Sequence, residues 1–227
     1  MDDDVILIVL AAAGAVLAGI AWLVVLSRRH RQRVEQTWRD FAGRHGLAHA
    51  FDRGGLEAVE RQGRRGDRLL LRGALRGRAF TVKEVSVNDG DSDSSSPSVR
   101  TRFSLAVAGM PAGLLVHPRP PGRLARGLIN GALSLATRLG ADLPPEAQSG
   151  DPAFDDTHMI RAHDPPAARA WLTDPARRAT MTALAAEEDL HILDRDLCWQ
   201  GDRPKTVEAM EEVVARLEVW AGRLERK

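Results

Sequence analysis

The chain has 227 residues, of which 32 are basic and 31 acidic, for a formal net charge of +1. That balance lacks the global positive excess that nucleic-acid binding draws on, so nucleic acid is not an expected partner. Cys198 is the single cysteine, which rules out an intrachain disulfide or a cysteine-based zinc site and is consistent with a reducing compartment.

Residues 5–26 are 22 consecutive residues without a charge, followed by arginines at 28, 29, 31 and 33. As a helix this run is about 33 Å long at 1.5 Å per residue, enough to cross a hydrocarbon core of about 30 Å once. The basic flank, set against Asp2, Asp3 and Asp4 at the other end, predicts that everything after Arg33 faces the cytoplasm. A cleaved signal peptide would need a basic leader and a shorter apolar stretch; here the leader is acidic and the run too long. The lipid bilayer, contacted through 5–26, is therefore the first expected partner. Ala11, Ala15 and Gly19, with Gly14 and Ala18, place small residues on a helix face that a second copy or another membrane helix could approach closely.

After this anchor (1–33), Val34, Trp38, Phe41 and Ala42 or His45 share one helical face, predicting an amphipathic stalk helix over 34–46 that ends near Gly46. The remaining 47–227 are expected to form one soluble α+β domain. Period-two alternation at Leu69 and Leu71, at Phe80 and Val82, and at Val99, Thr101, Phe103, Leu105 and Val107 predicts antiparallel strands. In the second of these the apolar phase moves to Val85 and Val87, as a bulge near Lys83 and Glu84 would produce. Residues 88–98, rich in Asp and Ser, read as a polar loop between strands. Its Asp89, Asp91 and Asp93 begin like a calcium loop, but Ser94 stands where glycine is needed and Arg100 where the bidentate glutamate belongs.

Further on, 113–117 reads as a short strand. Leu124, Leu128, Leu135 and Leu139 mark a helix over 122–139. Arg119, Arg123 and Arg126 accompany that stripe and are candidate contacts to anionic lipid, although leucines covering a sheet with the arginines in water is the commoner arrangement of such a helix. A strand is expected over 157–162, a helix from Asp174-Pro175 to about residue 187, and a hairpin at 190–193 and 197–199. The last helix is marked by Val207, Met210, Leu217, Ala221 and Leu224 on one face, with acidic residues at its start and basic ones at its end. The helices starting near Gly122, Pro175 and Pro204 are expected to cover a mainly antiparallel sheet. A pleckstrin-like barrel closed by a C-terminal helix is the alternative architecture.

Asp151, Asp155, Asp156, His158 and His163 lie close enough in sequence for metal or acid–base chemistry, which makes a membrane-bound metal-dependent hydrolase the alternative to a binding module. Their spacing matches no ligand scheme, and a turn at Gly150-Asp151-Pro152 anchored by Phe154 explains them with less. No nucleophile elbow, zinc-protease helix or phosphate-binding glycine loop is present. No catalytic, cofactor-binding or metal-ligating residue is therefore assigned, and no cofactor is expected.

The order of anchor, stalk helix with Trp38, antiparallel strands, the turn at Gly150 to Asp155, Ala170-Trp171-Leu172-Thr173 and a closing helix resembles that of uncharacterised bacterial single-pass membrane proteins. The resemblance is one of layout and transfers no catalytic residue. It implies a bacterial inner-membrane protein, and with the missing site it points to a non-enzymatic cytosolic interaction or scaffold module that engages a protein partner or its own copy.

Overall fold

The computed structural model describes residues 22, 25, 29, 32–49, 68–87, 98–119 and 144–226. Among them no helix is long and apolar enough to cross a membrane. Apart from Trp22 and Val25, the apolar run 5–26 lies outside the described residues, as do the loop 88–97, the helix expected over 122–139, Arg123 and Arg126.

The fold is mixed α+β, with antiparallel sheets and helices. It opens with helix α1 (32–45). The helix stops as the sequence implied: Gly46 takes a φ of +62°, its N–H donates to the Gly43 carbonyl and that of Leu47 to the Ala42 carbonyl, which satisfies the orphan carbonyls of the last turn. A short strand β1 (Ala48–His49) follows, then the long strands β2 (Arg68–Leu75), β3 (Arg78–Val87) and β4 (Ser98–Ala106). Later in the chain come the hairpin β8 (Leu190–Leu193) and β9 (Asp196–Gly201) and the closing helix α5 (Val207–Glu225). These strands form one six-stranded sheet, β1-β2-β3-β4-β9-β8, with every neighbour antiparallel. It has edges at β1 and β8, so the described strands build an open sheet and not the closed barrel of the alternative architecture.

Register explains the core. Leu71, Val82, Phe103, Trp199 and Leu190 are successive cross-strand partners, and so are Gly73, Phe80, Leu105, Leu197 and Ile192. Two apolar rows thus run across one face. Trp38 of α1, with no exposed surface, lies 5.9 Å from the Phe103 ring, and Phe103 in turn touches Phe80 at 6.1 Å and Trp199 at 5.5 Å. Leu47 fills the space that the missing side chain of Gly73 leaves. The helix expected to act as a stalk therefore inserts Trp38, Phe41 and Ala42 fully into the core.

Beside α1, the apolar stripe of α5 covers the same sheet, packing on β4 and β9. Charge pairs hold it along its length: Arg78 and Glu225 form a close two-pronged pair, Arg76 meets Glu218 at 3.0 Å, and Arg216 grips Asp189 at 2.7 Å and Glu187 at 2.9 Å. His45 lies 3.0 Å from both Glu211 carboxylate oxygens, joining α1 to α5.

A bulge is present where the apolar phase of β3 changes, but in the partner strand. Leu69 pairs with Lys83 and Leu71 with Val82, so Leu70 is the extra residue, while β3 runs in unbroken register against β4. Val85 is simply buried on the other side of the sheet. On that side Cys198 is buried beside Ser104, and His191 is half-buried.

The rest of the chain forms a smaller layer. Strands β5 (Leu115–Pro118), β6 (Glu146–Ala147) and β7 (His158–Arg161) make a second antiparallel sheet in the order β5-β7-β6. Helix α2 (Pro152–Thr157) packs on β7 and α3 (Pro165–Leu172) on β6, with α4 (Pro175–Leu184) against α3. Phe154, Ile160, Trp171, Leu172, Met181 and Leu184 of this layer belong to the same continuous core as the large sheet, with α4 packed along α5.

Candidate functional site

Asp151, Asp155, Asp156, His158 and His163 all fall in the smaller layer, and local folding determines what each does. Three Asp-Pro steps start its three helices. Proline at the first helical position has a preset φ and no orphan N–H, and the aspartate before it accepts from the first free amides. Asp151 accepts from Ala153 N at 3.0 Å and Phe154 N at 3.4 Å, Asp164 from Ala167 N at 3.0 Å, and Asp174 from Ala176 N at 2.9 Å. The turn expected at Gly150-Asp151-Pro152 thus runs on into α2, and α3 begins at a cap of the same kind.

The other members of the cluster are similarly committed. Asp151 also pairs with Arg178 at 3.0 Å. Asp155 accepts from both the backbone N–H and the hydroxyl of Ser149, at 2.8 Å each. Asp156 is exposed. His158 is buried and stacked flat on Phe154 with ring centroids 4.2 Å apart, its Nδ1 2.9 Å from the Thr157 hydroxyl. Burial holds the His158 pKa below the ordinary histidine value, partly offset by a hydrogen bond to the Phe154 backbone, so the ring is neutral at pH 7. His163 is exposed, with its ring against Gly113. These side chains do not converge, and among the described residues no three His, Cys, Asp or Glu are grouped to hold a metal ion.

Arg119, the described member of the arginine set considered for lipid contact, reaches inward. Its Nε donates to the carbonyls of Asp155 at 2.8 Å and His158 at 2.9 Å, and Nη2 to Glu146 at 3.1 Å. It clamps the end of β5 onto the junction of α2 and β7. Cys198 has no exposed surface, and burial pushes its thiol up to about 11, so little thiolate forms at neutral pH.

A concave feature of this layer is an open cleft of about 670 Å³ between β6 and α3. One wall is Glu146 to Gln148 and the other is the exposed side of α3, with Pro166, Arg169, Ala170 and Thr173. Because the Ala162 N–H donates to the Pro145 carbonyl and Ala147 pairs with Ile160, antiparallel alternation turns the main-chain groups of Glu146 away from β7. Arg169 lies along Gly150, where a Cβ would sit 3.2 Å from its Nε, and its guanidinium makes no ion pair or hydrogen bond among the described residues.

Sequence reading placed neither wall of this cleft. β6 is two residues long, below the reach of any periodicity, whereas α3 carried a usable signal in Asp164-Pro165. No protein-family model, curated protein or solved structure matches the chain.

Proposed function

We propose that this chain is a single-pass protein of a bacterial inner membrane, anchored through residues 5–26, and that its cytoplasmic domain is a non-enzymatic interaction or scaffold module. The observation that carries the second half is the fate of the reactive side chains. Asp151, Asp155, Asp164 and Asp174 are tied up by backbone amides and a serine, His158 is stacked and buried, and Cys198 is sealed in. Catalysis needs acid, base or nucleophile converging on one reacting atom, and these groups are each engaged in separate local contacts. Among the described residues the hydrolase alternative has no arrangement of this kind behind it. An uncharged run of 22 residues with four arginines closely following supports the anchor and its orientation.

The anchor and orientation are tested by alkaline extraction of membranes combined with a C-terminal reporter. The full chain should stay in the membrane pellet with a fused green fluorescent protein folded and bright, and a version lacking residues 1–33 should move to the supernatant. Release of the full chain by alkali, or activity of a reporter that works only outside the cytoplasm, would contradict the proposal.

A further inference from the structure

We infer that the exposed face of α5 is a self-association surface, on which a second copy of this chain lays its own α5 antiparallel about a two-fold axis level with Leu217. The inference goes beyond the interaction-module reading and stands whether or not that module also holds a different protein.

The face has the form of a seam between helices. Glu208, Glu212, Ala215, Val219, Arg223 and Arg226 are all exposed. At about 100° per residue they lie within about 60° of the direction opposite Leu217, which has no exposed surface. Positions 208, 212, 215, 219, 222 and 226 alternate steps of four and three, the spacing at which a helix keeps one side against another. Val219, near the middle, is 55 % exposed. Gly222 points the same way. Inside a helix it costs about 1 kcal/mol against alanine, yet a Cβ there would meet nothing within 4 Å among the described residues. No described contact within one copy requires a glycine, whereas the close approach of a second helix does.

Charge identifies the occupant. Glu208 and Glu212 stand one turn apart at the start of α5, Arg223 and Arg226 about one turn apart at its end. None of the four has an ion pair among the described residues; Arg223 lies over the Trp220 ring at 4.7 Å. Like charges so spaced repel within a single helix. The helix dipole favours this polarity, but it asks nothing of Ala215, Val219 and Gly222 between the charged ends. The pattern is complementary to itself reversed: Glu208 and Arg226 are equally far from Leu217, and so are Ala215 and Val219. Laid antiparallel, two copies set Glu208 against Arg226, Glu212 beside Arg223 and Ala215 against Val219, each twice, as a two-fold contact requires. A parallel pair would set like charge on like.

The test uses the full chain, co-expressed with two different epitope tags and purified through one of them in mild detergent. An acidic form, Arg223→Glu with Arg226→Glu, carries negative charge at both ends of the face; a basic form, Glu208→Arg with Glu212→Arg, carries positive charge at both. Wild-type copies should recover each other. Acidic with acidic, and basic with basic, should recover at least about tenfold less, because attraction turns to repulsion at each charge pair. Acidic with basic should return to the wild-type level, which misfolding cannot produce. Orientation is read by thiol cross-linking, in which Cys198 is silent because it has no exposed surface. Glu208→Cys on one copy should link to Arg226→Cys on the other and not to Glu208→Cys, held about 27 Å away along the helix axis.

Failure of wild-type copies to recover each other would overturn the assignment. So would undiminished recovery of like-charged copies, as pairing through residues 5–26 alone would give, failure of the acidic and basic forms to restore one another, or a link from Glu208→Cys to itself.

Discussion

Truncating Trp38 to Ala measures whether α1 is part of the domain or only leads to it. The side chain has no exposed surface, packs on Phe103 at 5.9 Å and carries the Arg203 guanidinium over its ring at 5.3 Å. Removing a buried tryptophan costs about 3–5 kcal/mol, a range that already contains the aromatic contact. Loss of the cation–π contact adds about 0.5–1 kcal/mol at a partly exposed guanidinium. The Trp38 Nε1 has no hydrogen-bond partner, so no bond is lost with it. The sum is about 5 kcal/mol, and at roughly 2–4 °C per kcal/mol for a domain of this size the melting temperature should fall by about 15 °C. Thermal unfolding of the full chain in mild detergent, followed by near-ultraviolet circular dichroism, reads this directly. A fall of less than about 3 °C, as expected for an exposed linker residue, would refute the packing argument.

Gly113 has a φ of +66°, and an added Cβ would run into the His163 ring; Gly113→Ala should cost about 2 kcal/mol in urea unfolding against about 1 for Gly109→Ala, whose φ is +76° in open space, and His163→Ala should return the difference. His191 has its pKa lowered to about 4 by burial and by the neighbouring charges of Arg102 and His117. A depressed histidine pKa means that the unfolded chain takes up the proton first, so this contribution is present above pH 6.5 and is lost as pH falls from about 6.5 towards 4. Discounted for partial exposure it amounts to about 2 kcal/mol, and His191→Gln should flatten the pH dependence of the melting temperature in that window; an unchanged slope would remove His191 as its source. Asp164→Ala and Asp174→Ala should each cost about 1 kcal/mol as lost caps, and Asp151→Ala somewhat more because the Arg178 pair at 3.0 Å goes with it.

Much of the large sheet was legible in the sequence, because one of its faces is core and its strands therefore alternate. Phe80, Val82, Phe103 and Leu105 could be placed from period alone, and so could the stripe of α5. What the sequence blurred has physical causes. Strand alternation reports only the face a residue takes, so Val85, buried on the second face of the sheet, mimicked a bulge in β3, while the extra residue at Leu70 left no mark in the pattern of β2. The burial of Trp38 was visible as a helical face, but whether that face meets a sheet or a neighbouring molecule is a tertiary fact.

The candidate site was less legible. The Asp/His cluster drew attention because of its residue types, yet residue type does not separate a catalytic carboxylate from a capping one. The Asp-Pro pairing did separate them: it occurs at 151, 164 and 174 and marks a helix start each time. The cleft depends on β6, a strand held by register with Ile160 and Arg161 and not by any pattern of its own.

The central claim is that this chain works by holding a protein partner at a membrane. Its most direct test is quantitative affinity purification of the intact protein from gently solubilised membranes, with protein stoichiometry and bound metal measured on the same sample. The account predicts one protein partner near unit stoichiometry, still recovered when His158 is changed to Gln and Asp156 to Asn, with no metal in proportion to the chain. Stoichiometric metal with no partner, lost in those variants, would contradict it and put the hydrolase reading in its place.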